Sequence, residues 1–88
     1  MTVPFSAPAA AGTVTPTSTC YYNVVVDQTA VRENPDTNSV VRKYKYRGEL
    51  VTGPCQRVLD TESGVYFTAV NCSCATDGIG WIRSSHLA

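Results

Sequence analysis

The sequence predicts an all-β fold: a small barrel of five to six short strands, preceded by an N-terminal tail. Three observations lead there. Strand-forming clusters such as Tyr21-Tyr22 with Val24-Val25-Val26, and Val65 to Val70, dominate the chain after Cys20. Turn-forming clusters separate them at roughly ten-residue intervals. No segment carries a helical hydrophobic period of useful length. The chain has 88 residues, room for one domain that buries only about 60% of its unfolded surface.

Residues 1–19 are rich in Ala, Pro, Thr and Ser, with no charge and no hydrophobic period. That composition suits a flexible tail or linker, expected to be disordered to about Thr17, with Cys20 pinning the start of a domain at 20–88. The first strand follows at Tyr21–Val26. The cluster Glu33-Asn34-Pro35-Asp36-Thr37-Asn38-Ser39 is a dense turn signal, because Asn and Asp bond back to the backbone.

Val40 to Tyr46 alternates, with Tyr44 and Tyr46 on one side and Lys43, Lys45 and Arg47 on the other, as a half-exposed strand does. Arg47-Gly48-Glu49 turns the chain into Leu50-Val51-Thr52. Gly53-Pro54 then demands a bulge or an edge, since proline donates no ladder hydrogen bond. Arg57-Val58-Leu59 and Val65 to Val70 flank the hairpin signal Asp60-Thr61-Glu62-Ser63-Gly64. A last turn at Ala75–Gly78 leads to Gly80-Trp81-Ile82-Arg83, and Ser84 to Leu87 has room for one helical turn. Val31, Val40, Val51, Val58, Val70 and Ile82 are spaced to fill the interior. Gly80 suits a backbone passing close beneath a large ring.

Seven basic and seven acidic side chains cancel, so no overall field draws the chain to nucleic acid or an anionic membrane. The longest apolar runs, Ala7–Ala11 and Val24–Val26, fall far short of the ~20 residues of a membrane-spanning helix. The N-terminus has neither the basic start nor the leucine-rich stretch of a signal peptide, so export implies a signal already removed.

Cys20, Cys55, Cys72 and Cys74 are an even set at a density that favours disulfides and an oxidising compartment. On an extended strand the Cα atoms of Cys72 and Cys74 would lie about 7 Å apart, too far to bridge comfortably. Cys20 and Cys55 are therefore expected to bond one each to that pair. The hairpin sets Cys55 roughly opposite Cys72, favouring Cys55–Cys72 with Cys20–Cys74 over Cys20–Cys72 with Cys55–Cys74. A metal site built on Cys-x-Cys and His86 lacks the second close pair that would complete a tetrahedron. No cofactor motif is present.

Ala30-Val31-Arg32-Glu33-Asn34-Pro35, then Ser39-Val40-Val41, then Gly48-Glu49-Leu50-Val51 resembles the first half of a bacterial SH3 domain. Tyr66-Phe67-Thr68-Ala69-Val70 and Gly80-Trp81-Ile82-Arg83-Ser84-Ser85-His86-Leu87 resemble the ending of that family. The resemblance spans about residues 22–88 and implies an SH3-like barrel, of a secreted actinobacterial type with two disulfides. The chain departs from the family pattern at Val65-Tyr66, where the family often has Trp, at Thr29, and in carrying its cysteines.

The resemblance further implies a non-catalytic, secreted or envelope-associated module that recognises peptidoglycan peptides. It does so through an aromatic groove taking Tyr22, Asn34, Asp36, Tyr66 and Trp81. Core closure is the competing role for Trp81 and Tyr66. Arg42, Lys43, Lys45 and Arg47, beside Tyr44 and Tyr46, form a second candidate surface for an anionic polymer; an edge strand protected by lysines is the plainer reading. Catalysis has no visible constellation, since the one histidine, His86, has no argued partner. A protein-interaction module or inhibitor using disulfide-braced loops at 33–39 or 60–64 is the alternative. A monomer is expected in either case, without nucleic acid or membrane insertion.

Overall fold

The computed structural model describes residues 18–88; the expected disorder up to Thr17 lies outside them. The described chain is all-β. Its strands are β1 (Cys20–Asn23), β2 (Gln28–Arg32), β3 (Val41–Tyr46), β4 (Leu50–Gly53), β5 (Arg57–Asp60), β6 (Val65–Asn71) and β7 (Ile79–Arg83). One 3-10 turn, Ser84–His86, follows the last strand. Seven strands stand where five to six were expected.

A five-stranded sheet runs β3-β2-β7-β6-β5, and β1 pairs with β4 in a separate two-stranded sheet. Every pairing is antiparallel. The C-terminus joins the smaller sheet beside β1: Asn23 and Ala88 exchange both backbone hydrogen bonds, at 2.9 and 3.0 Å. Val24 bridges Leu87 next to them. Both ends of the domain are thereby held in one place.

Turn chemistry explains the hairpins. Gly48 and Gly64 take φ of +89° and +75°, conformations that cost an L-residue about 1–2 kcal/mol. At the β5–β6 turn the Gly64 N–H donates to the Asp60 carbonyl at 2.8 Å. The Asp60 carboxylate also accepts from Glu62 N and Ser63 Oγ, closing the turn as a short acidic side chain does.

The core centres on Val31, Val51, Val70 and Ile82, with Tyr22, Cys72, Cys74 and Leu87 packed against them. Val24, Phe67 and Ala69 are also buried. Val40, expected inside, is 54% exposed, because it precedes the edge strand β3 and has no second layer over it. Val58 is only half-buried, on the opposite edge strand. Phe67 is missed by period-two reasoning since four consecutive residues of β6, Phe67 to Val70, are buried; that strand is covered on both faces.

Two glycines permit this closeness. A Cβ on Gly53 would run into the Ala69 carbonyl, and one on Gly80 into the Val31 side chain. Gly80 therefore lies under a valine of the neighbouring strand rather than under the ring expected of it. Gly53 closes β4, as a sheet end, which fits the edge expected there.

The disulfides correct the expected pairing. The bonds are Cys20–Cys55 and Cys72–Cys74, with Cα separations of 5.1 and 5.0 Å; neither Cys55–Cys72 with Cys20–Cys74 nor Cys20–Cys72 with Cys55–Cys74 forms. Two premises failed. Cys72-Ser73-Cys74 is a turn, with Ala75 N donating to the Cys72 carbonyl, so the extended spacing does not apply. Cys55 has left the hairpin ladder, which begins at Arg57, and sits at φ +62°. β1 pairs Cys20 with Gly53, which brings Cys55, two residues on, to the start of β1.

Candidate functional site

A surface concavity of about 420 Å³ lies where the β5–β6 hairpin meets the end of β7. Arg57, Tyr66, Arg83, Ser84 and Ser85 line it, together with Gly64 and Val65. The register explains why Arg57 and Tyr66 lie together. Arg57 opposes Thr68 on β6, so alternation puts it on the same face as Tyr66, one diagonal step away. Its guanidinium carbon lies 4.6 Å from the Tyr66 ring centroid, within cation–π range. Tyr66 remains 46% exposed.

Arg83 ends β7 opposite Phe67 and delivers the chain into the 3-10 turn. Ser84 Oγ is held 2.6 Å from Thr68 Oγ1, which fixes the turn against the sheet. The domain's other cations mostly face carboxylates: Arg42 meets Glu33 at 2.9 Å, Lys45 meets Glu49 at 3.5 Å and Arg47 meets Asp27 at 3.1 Å. Arg32 donates to the Ser39 carbonyl at 2.8 Å. Among the described residues Arg57 and Arg83 have neither a carboxylate nor another hydrogen-bond acceptor.

A smaller cleft of about 150 Å³ lies on the other side of Arg83, lined by Thr29, Arg32, Phe67 and His86 among others. His86 Nδ1 and Thr29 Oγ1 share a 2.8 Å hydrogen bond. Burial, and then the nearby Arg83 charge, push the imidazole below its ordinary pKa of 6.5. The ring is therefore neutral at pH 7 and serves as a latch between β2 and the C-terminal turn.

Only one of the five expected groove residues lines the concavity at Arg57. Tyr66 does; Tyr22 is half-buried against the core cluster. Asn34 and Asp36 belong to the loop after β2, which Asn34 braces through its backbone and Asp36 through its backbone N–H and one carboxylate oxygen. Asn34 N donates to Ser39 Oγ, Asp36 N donates to the Asn34 carbonyl, and Asp36 Oδ1 accepts from Asn38 N, each at 2.8 Å. Trp81 pairs with Ala69, three residues from Tyr66 along an unbroken strand, and so occupies the opposite sheet face. Tyr66 and Trp81 do not share a groove.

The basic strand is β3, an edge of the larger sheet. Arg42, Lys45 and Arg47 are paired as above, leaving Lys43 without a carboxylate partner among the described residues. Tyr44 and Tyr46 are about half exposed. Glu33 joins this edge to the 72–78 turn by accepting from Arg42 and from Thr76 N. Those hydrogen bonds, Arg42's first, hold its carboxyl below the usual range. The arrangement is that of a protected sheet edge.

Arg57, Arg83, Ser84 and Ser85 escaped the sequence reading. The sequence offers no signal for the arginines: neither has an acidic residue within two positions, but the same holds for Arg42 and Lys45, which are ion-paired. Among the described residues no group of three or more His, Cys, Asp or Glu is placed to hold a metal. No helix among them is long and apolar enough to cross a membrane. No family model, curated protein or solved structure matches the chain.

Proposed function

We propose that the chain is a non-catalytic secreted binding module of the bacterial SH3 type, which recognises cell-wall peptides through the concavity at Tyr66. The observation that carries this reading is the exposed Tyr66 ring, lying under Arg57 and lining a surface concavity of a small domain braced by two disulfides. A tyrosine half in and half out of water suits a ligand that is part apolar and part polar. Two disulfides are compatible with life outside the cytosol. The sequence resemblance supplies the wall as target. Cosedimentation with bacterial sacculi tests it: wild type should pellet and folded Tyr66→Ala should not, whereas equal pelleting of the two would remove the concavity from recognition.

A protein partner is favoured by a different observation. The 33–40 loop is tied internally and also to the β5–β6 turn, through Thr37 N and Asp60 Oδ2 at 3.3 Å. The two loops thus form one continuous, stiff edge, and stiffness lowers the entropic cost of binding. Passage of wild type into the supernatant with every sacculus tested would favour this reading.

A further inference from the structure

The geometry points to a carboxylate-recognition site in the Arg57–Arg83 concavity, one that takes the C-terminal carboxylate of a peptide. The proposal deepens, and rests on, the reading of this domain as a peptide-binding module. Its first support is charge. Arg57 and Arg83 lack both a carboxylate and a hydrogen-bond acceptor among the described residues, and they line the same concavity. Of the five other cations three are ion-paired and Arg32 donates to the Ser39 carbonyl. Of the three left without an acceptor among the described residues, Lys43 lies on the edge strand β3 and the other two meet here, in a domain with no net charge.

The second support is pre-organisation. The Tyr66 ring holds the Arg57 guanidinium in place, its carbon 4.6 Å from the ring centroid, while the guanidinium N–H groups have no acceptor among the described residues and are free to donate. A planar fork of that kind matches the two oxygens of a carboxylate. Ser85 adds an exposed hydroxyl, and Ser84 is already fixed by Thr68.

The third support is size and lining. A volume of about 420 Å³ exceeds what one small oxyanion needs and falls within the ~300–1,000 Å³ of small-ligand pockets. The Tyr66 ring offers an apolar surface beside the two cations. A carboxylate attached to a small side chain uses both; inorganic phosphate uses only the charge.

The test is an NMR titration of the oxidised protein with N-acetyl-alanyl-alanine, its C-terminal amide, and inorganic phosphate, each at low salt. The free acid should shift the Arg57 and Arg83 Nε–H signals and the Tyr66, Ser84 and Ser85 amides, and the neutral amide should leave them in place. Arg57→Gln and Arg83→Gln, checked for folding by signal dispersion, should each weaken the acid by about tenfold or more, as loss of a charged hydrogen bond does. Equal response to acid and amide would overturn the proposal, as would acid-induced shifts confined to other residues. Phosphate acting at these residues while the acid is silent would overturn it too. Sacculus binding separates the two levels. Acid binding without retention on sacculi leaves the carboxylate site standing and removes the wall reading. Retention undiminished in the double Arg→Gln variant does the reverse.

Discussion

Removing the two disulfides one at a time should have very unequal consequences. Cys20–Cys55 spans 35 residues of sequence and Cys72–Cys74 only 2. The chain-entropy relation for cross-links then gives about 4 kcal/mol for the first and about 1 kcal/mol for the second. A domain of this size, with roughly 0.05–0.15 kcal/mol of net stability per residue, loses a large part of its margin with the long link and little with the short one. The Cys20→Ala/Cys55→Ala variant should therefore melt about 15–30 °C lower, at about 4–8 °C per kcal/mol. Cys72→Ala/Cys74→Ala should shift by several degrees only. Equal losses, or a larger loss from the second variant, would refute the reasoning. The pairing itself is read from a non-reducing tryptic map. Cleavage after Arg32, Arg47, Arg57 and Arg83 puts Cys20, Cys55 and the Cys72/Cys74 pair on three separate peptides. Two linked peptides and one free peptide are expected; all three linked together would restore the crossed pairing.

Three further outcomes follow from packing and titration. Gly53→Ala forces a methyl into the Ala69 carbonyl, whereas Gly48→Ala meets nothing within 4 Å. Denaturant titration should show Gly48→Ala losing about 1–2 kcal/mol, from its positive φ alone, and Gly53→Ala losing more; the reverse order would contradict the close approach of β4 to β6. Phe67→Ala should lose about 3–5 kcal/mol while Val40→Ala stays within about 0.5 kcal/mol, and a large effect at Val40 would contradict its exposure. The His86 imidazole is held below its ordinary 6.5, chiefly by burial and next by Arg83. The unfolded chain then binds the proton more readily, so this contribution to stability is present above pH 6.5 and is lost as the pH falls through the folded-state value. As the pH falls below about 6.5, wild type should weaken more than His86→Gln does; parallel curves would refute the assignment.

Much of the fold was legible because local chemistry and tertiary structure agree. Gly48 and Gly64 signal turns that need positive φ, and both turns form. Asp60-Thr61-Glu62-Ser63-Gly64 reads as a hairpin, and its register runs from Asp60 opposite Val65 to Arg57 opposite Thr68. The extra strand is β2, Gln28–Arg32, five residues set between the strand expected at Tyr21–Val26 and the turn cluster at Glu33–Ser39, too short to show a period of its own. The disulfides failed where a local assumption met a long-range fact: a strand geometry was carried into the 72–75 turn, and a hairpin register was extended past its end to Cys55. The expected groove residues are dispersed for a similar reason, since which sheet face a residue occupies depends on pairing. Tyr66 and Trp81 are both aromatic and both on neighbouring strands, yet alternation sends them apart. The arginines of the concavity come from different strands and alternate to different faces, Arg57 opposite Thr68 and Arg83 opposite Phe67; they meet where β7 ends and the chain turns into Ser84–His86, which no local pattern announces.

The most direct test of the proposed function is cosedimentation of the oxidised protein with sacculi from several bacteria, comparing wild type with folded Tyr66→Ala and with a Tyr44→Ala/Tyr46→Ala control on the basic edge strand. Retention of wild type and of the edge-strand control, with loss in Tyr66→Ala, is the expected result. Retention that survives Tyr66→Ala but disappears with the edge-strand control would contradict it and move recognition to β3.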